Sequence, residues 1–371
     1  MLQEHLGYVS DAARVQRYAA AIDRVIKPGD CVLDLGCGSG ILGLLCLRAG
    51  AGRVVAVDAT AMIDVARETF ARANLADRVV FIRGESRRIE LPEPVDAIVC
   101  DQVGFFGFDA GILQDVSDAV ARFLKPGGAI IPRRIGLHLA GVESEAAYAP
   151  VRGWTGDTTP PEFHWLRERA ANVRYPAELS ASCLLTHEVP LGSVDLTRQT
   201  AGLLSWSVEL RAARNGTLHG IAGWFTAHLA PGVTMTNSPL DPERIVRAQA
   251  FFPIQKAVPL RAGERITAKF MARPNESLIA WVVALPDGEC LRQSTWHGVL
   301  AGREDLRRSD ARRVPRLNHL GRARAVILGY CDGRLTAREI EEAVLRNHPS
   351  LLPSRTEILR FIAQVLARDA D

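Results

Sequence analysis

Several absences narrow this 371-residue chain before any motif is considered. No apolar run approaches the roughly 18 residues needed to cross a bilayer, so no membrane partner is expected. The N-terminal residues Met1-Leu2-Gln3-Glu4-His5 carry neither the basic nor the apolar block of a secretory signal. The seven cysteines, at 31, 37, 46, 100, 183, 290 and 331, contain no C-x-x-C pair and are odd in number. Most lie inside apolar runs, where cysteine behaves as a small hydrophobe. Neither a disulfide framework nor a metal site is expected, and a reducing cytoplasm fits. A net charge of +3 is too small to argue for nucleic acid. Lysine is nearly absent, and the basic charge falls to arginine, which we attribute to genomic bias.

What is present describes a soluble globular chain, 47% apolar and 23% charged, long enough for two or three domains. Up to about residue 132, apolar strands alternate with helical stretches, with strands expected at Val32–Leu35, Val54–Asp58, Val79–Arg83, Ala97–Asp101 and Ala129–Ile131. Lys125-Pro126-Gly127-Gly128 reads as the turn before the last. The alternation implies an α/β domain, a Rossmann-like doubly wound parallel sheet with its ligand at the carboxyl ends of the strands. From 133 to 302 short alternating runs such as Ile135–Ala140, Leu203–Leu210, Leu218–Leu229 and Leu278–Leu285 predict an antiparallel β domain, a barrel or a sandwich. Within it, residues 151–176 break the pattern and carry Trp154, Phe163, Trp165 and Tyr175, as an interface arm would. Residues 303–371 read as three short helices, a small bundle or winged-helix module. Two of these open with capping boxes, Thr336 with Glu339 and Ser354 with Glu357.

The most informative stretch is Asp34-Leu-Gly-Cys-Gly-Ser-Gly40, between the apolar run at 31–33 and a helix over Ile41–Ala49. Gly36, Gly38 and Gly40 let the backbone turn sharply and approach a ligand closely. Asp58, with Ala59 after it, ends the next strand some 20 residues on, where an acid suits ribose hydroxyls. A dinucleotide site favours G-x-G-x-x-G and a pyrophosphate on the helix N-terminus; here the third glycine comes one position early. The acidic Asp34 ahead of the first glycine would repel a pyrophosphate but can accept from an ammonium group. D-x-G-x-G-x-G is the usual signature of S-adenosylmethionine (SAM) methyltransferases, and this segment resembles it at every position.

His5, Asp11, Arg14 and Tyr18 reproduce the H-x5-D-x2-R-x3-Y spacing found upstream of that loop in protein arginine methyltransferases. The first 300 residues resemble that family. The resemblance implies a Rossmann-like methyltransferase domain (1–132), then a β-barrel substrate domain (133–302) interrupted by a dimerisation arm, and a homodimer. It implies SAM as cofactor, with Arg14 clamping the methionine carboxylate and His5 beside it. Glu85 or the Ser86 backbone would meet adenine, since Arg87 stands where the family offers a glutamate.

The substrate side departs from the family pattern. The pair of glutamates that holds the guanidinium corresponds to Asp101 and Ala110, with Asp109 adjacent. The family's Thr-His-Trp loop falls at Arg244 to Gln249, where Val246 replaces its histidine. Asp101 is the candidate to orient or deprotonate the acceptor, with Gln102 and Asp109 to hydrogen-bond it. Phe105, Phe106 and Phe108 either wall the methyl pocket or pack as core. His164 and His297, each beside a tryptophan, are more simply structural than catalytic.

Asp332-Gly333-x-Leu-Thr-x-x-Glu-Ile in the third unit resembles the PqqD-type modules that bind leader peptides by adding a strand to a sheet edge. The expected function is therefore SAM-dependent methyl transfer to a peptide or protein side chain, with the peptide delivered by the C-terminal module. A small-molecule acceptor and a non-catalytic SAM-binding scaffold are the alternatives.

Overall fold

The computed structural model describes residues 2–198, 202–300 and 302–370. The chain divides into two compact units, Met1–Val299 and Leu300–Asp371. No described helix is long and apolar enough to cross a membrane.

The first unit opens with two helices, α1 (Leu2–Ser10) and α2 (Ala12–Val25). The wound sheet follows: β1 (Cys31–Leu35), α3 (Ile41–Arg48), β2 (Arg53–Asp58), α4 (Met62–Arg72), β3 (Val79–Arg83), β4 (Val95–Cys100), α5 (Ile112–Phe123) and β5 (Leu124–Ile131). Its strands lie parallel in the order β3-β2-β1-β4-β5. β1 is buried along its whole length, as a strand covered on both faces must be. Chain order reverses between β1 and β4, and the loops leaving β1, β2 and β4 meet at that crevice. The expected turn Lys125–Gly128 lies instead inside β5. Leu124 pairs with Val95 and Ala129 with Ala97, so the extra residues are absorbed as a bulge, with Gly127 at φ +76°.

The remainder of this unit comprises β6 (Arg134–Val142), α6 (Glu145–Arg152), α7 (Leu166–Ala170), β7 (Tyr175–Ala177), β8 (Val189–Asp195), β9 (Leu204–Arg211), β10 (Gly216–Ala230), β11 (Val233–Thr236), β12 (Gln249–Leu260), β13 (Arg265–Arg273), β14 (Leu278–Ala284), β15 (Cys290–Ser294) and α8 (Thr295–Gly298). They form two antiparallel sheets. One runs β7-β12-β10-β6-β8 with β11 paired to β10, the other β15-β14-β13-β9. The expected barrel is not closed: among the described residues one isolated bridge, Thr186–Ala212, and no ladder joins the sheets. β10 is buried on both faces from Leu218 to Phe225 because the second face is covered as well. Tyr148 and Val151 on α6 and Ala170 on α7 pack there against Ala222, Trp224 and Phe251. The irregular stretch after β6 thus roofs its own sheet, while Trp154, Phe163 and Trp165 remain exposed.

The second unit holds α9 (Arg303–Ser309), α10 (His319–Leu328), α11 (Ala337–Asn347) and α12 (Arg355–Asp369). Ala323 and Ile327, Ile340 and Val344, and Ile358 and Ile362 recur every four residues and form its core. The Thr336–Glu339 capping box is present, and Ser354 Oγ accepts from the Glu357 N–H. Four helices stand where three were expected, α9 being the addition, and no strand occurs among the described residues of this unit, so no wing is found there.

Candidate active site

The glycine loop suits a ligand other than a phosphate because four of its backbone donors are already engaged. Gly36 and Cys37 N–H both donate to the Val57 carbonyl at 2.9 Å, and Gly40 N–H donates to Cys37 at 2.8 Å. Gly38 N–H donates to Asp58 Oδ2 at 2.9 Å. A pyrophosphate would need those groups free. Gly38 stands at φ +53°, and a Cβ there would sit 2.6 Å from the His5 ring. The loop therefore closes against α1 only because this residue has no side chain.

Two cavities adjoin the loop and share Gly36, Asp58 and Gln102. The larger, about 310 Å³, is walled by Glu4, His5 and Tyr8 of α1, Arg14 of α2, the turn at 36–39, and Asp101, Gly104, Phe105, Ala110 and Arg247. The smaller, about 140 Å³, is walled by Ala59, Gly84, Glu85, Ser86, Arg87 and Asp115. The Asp58 carboxylate takes the Thr60 N–H and hydroxyl on Oδ1 and Gly38 on Oδ2. Of its roughly four lone-pair positions one remains, on Oδ2, for a hydroxyl. Glu85 lies in the smaller wall with its carboxylate turned to Arg88 at 3.0 Å, and the Ser86 carbonyl accepts from Arg122. Arg87 pairs with Asp115 at 3.5 Å.

Asp34 corrects an expectation. It is 1% exposed and lines neither cavity, and its Oδ2 accepts from Gly43 N–H in the first turn of α3 at 2.8 Å. It holds the helix to the strand instead of meeting an ammonium group. Burial, opposed by the Gly43 amide, raises its carboxyl to about 7. The same group titrates near 4 in an unfolded chain. Between those values the folded protein binds more protons, so the stability contributed by Asp34 falls as pH rises from about 4 to about 7. Asp34→Asn is expected to flatten the stability–pH curve across that window, read as urea midpoints at several pH values. An unchanged slope would place the titration elsewhere.

Arg14 and Asp101, assigned separate tasks from the sequence, meet each other. The Arg14 Nε donates to Asp101 Oδ2 at 2.5 Å, its Nη2 forms the ion pair with the same oxygen, and Nη1 donates to the Tyr8 carbonyl at 2.7 Å. The side chains are 6% and 8% exposed. Tyr18 donates its hydroxyl to Asp101 Oδ1 at 2.9 Å. Burial, and then the Asp101 charge, hold that phenol well above its ordinary pKa, so it stays a donor. Asp11 caps α2 through Arg14 N–H, and its other oxygen accepts from Val246 N–H at 2.8 Å. Where the family has a histidine, the backbone meets this aspartate instead.

Asp109 does not join Asp101. Its Oδ1 accepts from Phe106 N–H at 2.8 Å, and Oδ2 pairs with Arg174 at 2.5 Å. Asp109 is turned to a separate cleft walled by Arg87, Gln114 and Asn172. The expected catalytic role is thus replaced by a structural one: the carboxylate closes the loop after β4. Gln102 does face the larger cavity, packed over Gly36. Phe106 and Phe108 are core, while Phe105 lines the cavity. His164 and His297 lie outside it, their surroundings being Thr159 and the surface. The group missed from sequence is Arg247, whose only signal was its place in the loop at 244–249, one residue after Val246.

A family model described as a methyltransferase domain matches residues 32–128. The chain is 29% identical over 274 residues to an arginine N(omega)-methyltransferase of Streptomyces achromogenes subsp. streptozoticus, covering 71% of this chain and 74% of that one. It is 30% identical over 259 residues to protein arginine N-methyltransferase 6 of Xenopus laevis, covering 64% and 74%. In fold it is similar to the Trypanosoma brucei PRMT1 enzyme–prozyme heterotetrameric complex with AdoHcy (TM-score 0.70, 23% identity, 78% of this chain and 96% of that one).

Proposed function

This chain belongs to the protein arginine methyltransferase family and is a SAM-dependent methyltransferase, and we propose that it methylates an N or O nucleophile on a peptide or protein side chain. The observation that carries the reading is the single cavity in which the loop after β1 and the loop after β4 present Gly36–Ser39 beside Asp101 and Gln102. When bound, SAM supplies a methyl on a cationic sulfur, which departs as a neutral thioether once the acceptor's lone pair takes the methyl. The residues that would hold it are His5, Arg14, the Gly36–Gly40 backbone, Asp58 and, at the adenine end, Ala59, Glu85 and Ser86. Arg14 keeps about two of its five N–H groups free for a carboxylate beside Asp101.

Asp101 supports the chemistry through alignment. Its Oδ2 is fixed by Arg14 and its Oδ1 accepts from Tyr18, leaving one lone pair to receive an N–H or O–H of the acceptor. An acceptor held so has its nucleophilic lone pair directed by a group that cannot rotate. Ala110 in the same wall supplies no second acid, so recognition of arginine by a carboxylate pair is not part of the proposal.

Asp58→Ala is expected to weaken S-adenosylhomocysteine binding by about 1.5–3 kcal/mol, measured by calorimetric titration. Unchanged affinity would mean that the ribose is held elsewhere. The acceptor class is tested by incubating the full chain with methyl-labelled SAM and a peptide array. Transfer to peptides supports the reading, and transfer only to small metabolites, or none at all, defeats it. We further propose a homodimer and peptide delivery by residues 303–371. In that segment no described strand offers an edge, so helices would have to bind the peptide. Unchanged peptide affinity after removal of those residues would end that part of the proposal.

A further inference from the structure

We infer that Asn237 is a positioning residue for methyl transfer: lining neither cavity itself, it sets the spacing of the two loops that wall the acceptor's end of the larger one. The inference rests on the reading above that this cavity takes the acceptor. Asn237 follows β11 directly and is fully buried. Its Oδ1 accepts from the Phe225 N–H of β10 at 3.0 Å. Its Nδ2 donates to the Phe105 carbonyl, in the loop after β4, at 2.9 Å and to the Ala248 carbonyl at 2.8 Å. One carboxamide thus ties the loop after β4 and the segment 244–249 to the central strand of the larger antiparallel sheet.

Neither loop has regular structure of its own, since no helix or strand covers the described residues 101–111 or 237–248. Segments of that kind keep their shape through the bonds that anchor them. Gly104 and Phe105 line the cavity from the first loop and Arg247 from the second, and Arg247 Nη1 donates to the Gly104 carbonyl at 3.2 Å. Asn237 holds the neighbouring carbonyl in each, Phe105 and Ala248. Its own carbonyl is held in turn: Gln249, 2% exposed, donates to it at 2.6 Å and accepts from the Leu179 N–H at 2.9 Å. Both N–H groups and the oxygen of the carboxamide are in use, and three main-chain groups depend on it. Aspartate, of the same size, would set an oxygen against both carbonyls, and leucine would leave all three groups without a partner. Asp101 is fixed separately, by Arg14 and Tyr18. Loss of the carboxamide therefore shifts the wall that receives the acceptor and leaves the carboxylate that orients it in place.

The test is hydrogen exchange read by mass spectrometry on the full chain loaded with S-adenosylhomocysteine. Segments 102–110 and 244–249 carry hydrogen-bonded amides at Phe106, Ile245 and Val246. Asn237→Ala is expected to speed exchange in both about tenfold or more, while segment 31–58 and the affinity for S-adenosylhomocysteine stay within about threefold of the parent. Val283→Ala, which empties a buried site in the other antiparallel sheet, controls for general loosening. In methyl transfer to a peptide taken from the array, Asn237→Ala should raise KM about tenfold or more and lower kcat by less. Asn237→Ser keeps a hydroxyl for one of the three partners and should fall between that variant and the parent. If the alanine variant does not fold, which titration with S-adenosylhomocysteine reports, the serine variant carries both measurements. Unchanged exchange in the two segments, an equal rise in Val283→Ala, or a loss confined to kcat overturns the inference and leaves the acceptor reading intact. Absence of transfer by the parent chain defeats the acceptor reading and the inference with it.

Discussion

Asp101→Ala is expected to abolish methyl transfer and to lower folding stability by about 3–5 kcal/mol, the usual consequence of removing one partner of a buried ion pair. Arg14 is the reason. Its guanidinium is buried beside Asp101 and lies 5.1 Å from the centre of the Tyr8 ring and 5.7 Å from that of Tyr18. Without the carboxylate it becomes a desolvated charge, with Arg247 as its neighbour. Tyr18 keeps an acceptor in the Cys100 carbonyl, so the phenol adds little to the loss. Urea unfolding measures the stability change and labelled-methyl transfer the activity. The double substitution Arg14→Met with Asp101→Leu separates the two, because replacing both charges with apolar groups removes the unpaired ion. Stability should return in the double variant while activity stays absent. A single Asp101→Ala variant as stable as the parent would mean that Arg14 finds another partner.

Phe106→Ala should cost a further about 3–5 kcal/mol by a different route, the emptying of a packed aromatic site. Phe106 is fully buried, with ring centres 5.3 Å from Phe252, 6.0 Å from Phe270 and 5.5 Å from Phe108. Its ring lies against bare backbone: a Cβ on Gly223 of β10 would come within 2.4 Å of it. The same residue's N–H is held by Asp109 within the loop, and the ring packs the loop that carries Asp101 onto the antiparallel sheets. Loosening it should raise KM for the acceptor more than it weakens S-adenosylhomocysteine, which rests chiefly on the other loops. Steady-state kinetics beside calorimetry would show that split; equal losses in both would mean that the whole sheet, not the loop, had shifted.

The parallel sheet was legible because its strands are short apolar runs punctuated by glycine and acidic turns, and burial on both faces leaves such runs little alternative. Helix starts in the last unit were legible for a local reason, since Thr336 and Ser354 cap amides only three residues away. What escaped was long-range. Arg14 and Asp101 were both named, yet 87 residues separate them and nothing in either segment says that they pair. Asp109 looked like a substitute acid because it lies one residue from the place of the family's second glutamate, but a carboxylate able to cap a nearby amide satisfies that bond first. Arg247 projects from a loop that reaches the cavity only when the antiparallel sheets pack on the wound one. Alternation left barrel and sandwich both open because it reports which face is buried, not which strands lie at the edges; the closed barrel was implied by the family resemblance alone.

The turn between β1 and α3 has a bearing on how this protein can change over time. Its amides are tied to the carbonyls of Val57 and Cys37 and to the Asp58 carboxylate. Three of those four ties run from main chain to main chain, so replacing side chains around the crevice cannot release them. Divergence can rework the acceptor wall at Ala110 and Arg247, whose side chains take no part in those ties, and alter what is methylated. Turning the same crevice to nucleotide phosphates would require rebuilding the backbone between Leu35 and Ile41. Descendants of this scaffold are thus free to explore acceptors while remaining bound to one kind of donor.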